Sequence, residues 1–137
     1  MLLLVAAGAC GKDNSASSAS PTAPTTTAVP PTTTDEFDAT VPVGGSAFYA
    51  FSVSQYGTVN ITLTSVTGAY VPATVMLGVG IGTPSGTSCT ITSAVNAAAG
   101  ATPQLTGSYD TGVYCANVSD VGNLFAPATF TLTIAHP

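Results

Sequence analysis

Apolar and polar residues alternate with a period of two in six stretches of the chain. Phe37, Ala39 and Val41 face away from Asp38 and Thr40; Tyr49, Phe51 and Val53 share one side of the next stretch. Val59, Ile61 and Leu63 oppose Thr58, Asn60, Thr62 and Thr64, and Val75, Leu77, Val79 and Ile81 alternate with Met76, Gly78 and Gly80. Tyr114, Ala116 and Val118 alternate with Cys115 and Asn117, and Phe130, Leu132 and Ile134 with Thr129, Thr131 and Thr133. Successive side chains of a strand point to opposite faces, so each stretch predicts a strand with one dry and one wet face. No stretch carries a helical period; AVNAAAG at 94–100 is short and ends in glycine. Turn signals separate the strands at Val43-Gly44-Gly45, Gln55-Tyr56-Gly57, Asp110-Thr111-Gly112 and Asp120-Val121-Gly122-Asn123. The expected fold is all-β, an antiparallel sandwich of the jelly-roll kind with about seven or eight strands over residues 35–137.

Ahead of residue 35 the pattern changes. Residues 14–34 are almost wholly Ser, Ala, Pro and Thr, with Val29 as the one larger apolar residue and no aromatic. Such a segment cannot bury enough apolar surface to offset its ordering entropy, so a disordered tether is expected over 10–34. Its prolines favour polyproline II at about 3.1 Å per residue, a reach on the order of 60 Å. Residues 2–9, LLLVAAGA, are apolar or small. Eight helical residues extend only about 12 Å against a hydrocarbon core of roughly 30 Å, so the segment is too short to span. An apolar run ending in small residues reads instead as the back half of a secretory signal over residues 1–9.

Charge narrows the partners. Only 5% of the 137 residues are charged, Lys12 is the sole Lys or Arg, and the formal net charge is −5. A chain with a single cationic side chain cannot track phosphates, so nucleic acid is not an expected partner. For the same reason it cannot hold anionic headgroups by charge. The surface must be made polar by Thr, Ser, Asn and backbone groups.

The three cysteines are Cys10, Cys89 and Cys115. In an exported chain the two within the domain are the natural pair. Their bridge would close a loop of about 27 residues, for roughly 3.5 kcal/mol by chain entropy. The alternation puts Cys115 on the side of Asn117, away from the core set. The bridge is therefore expected to pin the 82–109 excursion to the outer side or edge of a sheet, leaving Cys10 unpaired.

The inventory for catalysis is thin. His136 is the only imidazole and stands next to the end of the chain, where an exposed, idle side chain is expected. Asp110 and Asp120 fall in turn signals, where aspartate bonds nearby backbone. Asp35, Glu36 and Asp38 lack the spaced ligands of a calcium loop and read as a solvated first strand. Two thiols and one His show no zinc spacing. No catalytic residue, metal site or cofactor is expected, and the chain reads as a non-enzyme. Gly78-Val79-Gly80-Ile81-Gly82 has neither the lysine nor the following helix of a nucleotide loop. Glycine at alternate strand positions more simply admits close approach of another segment, or a bulge. Tyr56, Tyr70 and Tyr109 lie near expected loops and are the candidate ligand contacts, in the manner of a sugar platform.

Two resemblances follow from these residues. Tyr49-Ala50-Phe51-Ser52-Val53, Val59-Asn60-Ile61-Thr62-Leu63, Asp110-Thr111-Gly112-Val113-Tyr114 and Thr129-Phe130-Thr131-Leu132-Thr133-Ile134 together resemble bacterial pre-peptidase C-terminal domains over roughly residues 37–135. Those are β-sandwich modules found beside exported proteases and other enzymes. The family's acidic strand is replaced here by Thr74-Val75-Met76-Leu77-Gly78-Val79, which removes the carboxylates that would suggest calcium. Ala7-Gly8-Ala9-Cys10 is similar to the lipobox of bacterial lipoproteins, with Ala7 where leucine is usual. That resemblance implies lipidation of Cys10 and attachment to a membrane of the bacterial cell envelope, on a periplasmic or surface-exposed side. The expected function is a non-catalytic envelope lipoprotein presenting a β-sandwich interaction module to an envelope protein or glycan. The alternatives are a carbohydrate-binding module of a secreted system and an accessory domain of an exported protease or other hydrolase.

Overall fold

The computed structural model describes residues 28–137. Eight strands fill that span: β1 (Thr33–Val41), β2 (Ser46–Val53), β3 (Gly57–Thr67), β4 (Leu77–Ser85), β5 (Ser88–Ala97), β6 (Leu105–Tyr109), β7 (Gly112–Ser119) and β8 (Ala128–His136). They pair in two antiparallel sheets of four, ordered β1-β8-β3-β6 and β2-β7-β4-β5. Of strands consecutive in sequence, only β4 and β5 are neighbours in one sheet; every other connection passes between sheets. That order is the eight-stranded jelly roll. The described residues contain no helix.

Six strands lie where the alternation predicts them, and β5 and β6 complete the set. The expected leader (1–9), Cys10 and most of the tether lie outside the described residues. β1 starts at Thr33, two residues inside the stretch assigned to the tether, because Thr33 and Thr34 pair with His136 and Ala135 at the end of β8.

The dry faces meet as one core. Phe51, Val53, Ile61, Leu63, Leu77, Val79, Ile81, Val118, Phe130, Leu132 and Ile134 are all buried there. Burial stabilises each such side chain by about 1.5–3 kcal/mol. The opposite face of the first sheet is a lattice of hydroxyls paired across strands. Thr40 and Thr129 lie 3.4 Å apart, Thr106 Oγ1 donates to Asn60 Oδ1 at 2.9 Å, and Thr131 donates to Asp38. A nearly uncharged chain keeps a polar surface in this way.

One edge is closed by a side chain standing in for a strand. Beyond β6, the β5–β6 connection follows β3: Gly100 N–H donates to Leu63 O at 2.9 Å and Gln104 N–H to Ile61 O at 3.1 Å. Between them the Gln104 amide acts like a peptide group. Its Oε1 accepts Leu63 N–H at 2.7 Å, and its Nε2 donates to the carbonyls of Leu63 (3.1 Å) and Ala98 (3.2 Å). Backbone groups that would otherwise lack a partner are satisfied.

The glycines of β4 line the outer face of the second sheet. A side chain at Gly78 would meet Ser119 and Val121; one at Gly80 would press on Ile91. At Gly82 an added Cβ would lie 1.8 Å from the carbonyl oxygen of Thr90. The register slips at this point, from Ile81 opposite Ser93 to Gly82 opposite Ile91, with Thr92 as the extra residue. Thr92 Oγ1 donates to Ile81 O at 3.2 Å, holding the bulge. A bulge bends its strand, and the distal half of the β4–β5 hairpin leans over the outer face. The Cys89–Cys115 disulfide lies in that fold-back. It joins β5 to β7 with Cα atoms 6.0 Å apart although β4 runs between them. A flat sheet would separate such positions by two strand spacings, about 9.6 Å. Cys115 thus points outward beside Asn117, as the alternation requires, yet it is fully buried under the hairpin.

Candidate functional site

Three places hold the side chains that could carry chemistry or binding. The first lies inside the sandwich, at the end where β1 starts and β8 stops. The register sets Asp35 opposite Ile134 and Thr33 opposite His136. Asp35 precedes core residue Phe37 by two positions and His136 follows Ile134 by two, so both point inward. His136 Nε2 lies 3.2 Å from Asp35 Oδ2, and the Tyr49 hydroxyl donates to the same oxygen at 3.4 Å. The His136 ring packs 5.1 Å from Phe51, and its Nδ1 sits 3.4 Å from Pro137 O. The expectation of an exposed, idle His136 is corrected: the residue is 6% exposed and paired, because β8 runs to the penultimate position. Both ring nitrogens face these partners, and no hydroxyl or thiol nucleophile bonds to the ring among the described residues. The trio ties β1, β2 and β8 together where the two sheets close, beside stacked Phe37 and Tyr49 at 5.4 Å.

The acidic group at the start of the domain is divided by the strand itself. Asp35 turns inward, while Glu36 and Asp38 lie on the wet face. Among the described residues, no three His, Cys, Asp or Glu side chains converge as metal ligands would.

The second place is an open groove of about 530 Å³ at the same end, outside the core. The segment 28–32 forms one wall and the β2–β3 turn with the start of β3 forms the other. Val29, Pro30 and Pro137 supply apolar surface; Thr32, Gln55, Tyr56, Thr58 and Asn60 supply polar groups. Ser54 N–H donates to Pro137 O at 2.9 Å, fixing the floor of the groove to the turn. Tyr56 stands 63% exposed at its edge. No carboxylate, amine or imidazole is among the lining side chains.

The third place is the opposite end of the sandwich. Tyr70 on the β3–β4 loop and Phe125 on the β7–β8 loop are 91% and 93% exposed, and Tyr70 holds a φ of 63°. The loops beneath them are tightly bonded. Asp120 Oδ2 accepts Gly44 N–H at 2.8 Å, and Oδ1 accepts the N–H groups of Gly122, Asn123 and Leu124. Asn123 Nδ2 donates to Met76 O at 2.9 Å. Hydrogen bonding to the ionised form holds the Asp120 carboxyl below its ordinary pKa, the Gly44 amide contributing most; partial desolvation opposes this, and the other three amides add to it.

A group whose pKa is lower folded than unfolded stabilises the fold fully above its unfolded value, about 3.9, and loses that contribution as pH falls through the folded value. Asp120→Ala is therefore expected to lower the urea midpoint at pH 7. The gap to the parent chain should narrow when both are unfolded at pH 2.5. A gap that stays constant with pH would assign the loss to loop packing instead.

The tyrosines proposed as ligand contacts are not brought together. Tyr56 edges the groove and Tyr70 stands at the far end. Tyr109 turns inward on β6, packs edge-on against Tyr114 at 5.2 Å, and has its pKa raised by burial and by Tyr114. No protein-family model matches the chain, and no curated protein matches it. Fold and sites define its class as an all-β jelly-roll domain, bridged by one disulfide, with a neutral groove at one end and an aromatic rim at the other.

Proposed function

We propose that the chain is a lipid-anchored protein of the bacterial cell envelope whose jelly roll is a non-catalytic interaction module. The observation that carries this reading is the junction at Cys10. An apolar run ends in Ala7-Gly8-Ala9-Cys10, and a Pro- and Thr-rich stretch leads from there to β1. The architecture supports it. The described chain enters the domain at the groove end, opposite the Tyr70 and Phe125 rim.

The protein expressed from its own gene in its native host and fed a labelled fatty acid is expected to carry the label, with Cys10 as the mature N-terminus in the intact mass. Cys10→Ser should abolish labelling and move the protein out of the membrane fraction. An unlipidated mature N-terminus in the parent chain would overturn the anchor.

A further inference from the structure

We propose that the groove between the segment 28–32 and the β2–β3 turn is a binding site for a neutral saccharide of one or two rings. Its chemistry selects the ligand class by elimination. No ionised side chain lines it, and a chain of net charge −5 with one lysine has no compensating cation for an anionic ligand. A cationic ligand would find no carboxylate side chain to pair with, and the Pro137 main-chain oxygen is already engaged by the Ser54 amide. A purely apolar ligand would cover the polar groups of Thr32, Gln55, Tyr56, Thr58 and Asn60 and leave them without partners, at about 1–3 kcal/mol for each group fully desolvated. Of these five side chains, only Asn60 is engaged by another described side chain, through its carbonyl oxygen, which accepts from Thr106. Among the described residues, no side chain engages the Asn60 amide N–H groups, the Gln55 amide or the three hydroxyls.

A saccharide matches this mixture. Its hydroxyls pair with side-chain amides and hydroxyls, and its C–H face lies on an aromatic ring and on proline. Tyr56 offers such a ring at the edge, exposed enough to accept a stacked partner, and Val29 and Pro30 offer apolar surface on the facing wall. A volume of about 530 Å³ falls inside the range of small-molecule sites, roughly 300–1,000 Å³. Pro137 is buried and bonded to the Ser54 amide, so that part of the site is formed before a ligand arrives. The opposite wall, Ala28, Val29 and Pro30, precedes β1 directly, so a bound sugar would bridge the domain to the stretch leading back toward Cys10.

The test is saturation-transfer NMR on the full chain with cellobiose, maltose and N,N′-diacetylchitobiose, each at 10-fold steps up to about 10 mM, the weak-affinity regime of a small polar ligand. Glucuronic acid serves as the charged counter-probe. At least one neutral disaccharide is expected to show transfer to its ring C–H protons. Tyr56→Ala should weaken it tenfold or more, Tyr56→Phe should largely keep it, and glucuronic acid should show none. Tyr56 is exposed in a turn, so these variants leave the core intact; unchanged thermal melting would verify that. Silence from all three disaccharides overturns the proposal. So does a signal that survives Tyr56→Ala, or one abolished by Tyr70→Ala, which would move binding to the far end. None of these outcomes bears on lipidation at Cys10, which the fatty-acid label reads separately.

Discussion

Gly82→Ala is expected to destabilise the domain by roughly 3–5 kcal/mol, at or above the upper end for inserting one carbon into a packed site. The new Cβ would sit 1.8 Å from Thr90 O, 2.6 Å from Thr90 C and 2.8 Å from Ile91 Cα. All three are backbone atoms, so no rotamer change relieves the clash. The hairpin must lift, and lifting it strains the bulge at Thr92 and the disulfide beyond. Gly86→Ala at the tip of the same hairpin is the control. It has open space around it but a φ of +62°, so its cost should stay near 1 kcal/mol. Urea unfolding of the two variants separates clash from backbone strain; equal midpoints would show that the fold-back over β4 is not rigid. Neighbouring sites that share one geometry are non-additive. The Gly82→Ala penalty should therefore shrink in a chain lacking the disulfide, where the hairpin is free to rise.

How far the sequence announces this arrangement depends on whether a residue's partner is local. The period-two stretches give the six strands that supply most of the core, because alternation is a property of each strand alone. The alternate glycines of β4 read correctly as places of close approach, though nothing local says that the next strand is what approaches. β5 stays hidden because its inner face offers only Val95 and Ala97, and the bulge at Thr92 breaks the alternation and turns Ile91 outward. β6 is five residues long with Gly107 at its centre. His136 illustrates a signal that was present and outweighed. It continues the series Phe130, Leu132, Ile134 by one more step of two, as Asp35 precedes Phe37. Its partner is 101 residues away, and only the β1–β8 register brings the two together. The groove is less legible still. It joins the last residue of the chain to the β2–β3 turn and to the low-complexity stretch before β1, three segments with no shared pattern. Of the three tyrosines singled out for their neighbourhoods, topology leaves Tyr56 on a groove, Tyr70 on a rim and Tyr109 against the core.

Removing the disulfide as a Cys89→Ala, Cys115→Ala double variant is expected to cost about 3.5 kcal/mol, the chain-entropy value for a closed loop of this length. The two cysteines are 26 residues apart in sequence. The closed loop contains nearly all of β5, the crossing to the other sheet, all of β6 and the first half of β7. Without the bridge, the unfolded chain regains the freedom of that excursion, while the folded domain loses the tie that holds the hairpin over Gly82. For a domain near 100 residues, 1 kcal/mol shifts the melting temperature by about 4–8 °C, so a fall of roughly 15–25 °C is expected by calorimetry. Alanine is the better replacement, since Cys115 is fully buried and a serine hydroxyl there would add the cost of an unpaired polar group. Burial also predicts a kinetic result. Reductant can reach the half-buried Cys89 sulfur, but the thiolate it displaces is the fully buried Cys115, so reduction of the native parent should be slow and should accelerate in Gly82→Ala. Prompt reduction of the native parent, or a double variant melting within a few degrees of it, would show that the bridge merely decorates a hairpin already held by the bulge and by Ile91 over Gly80.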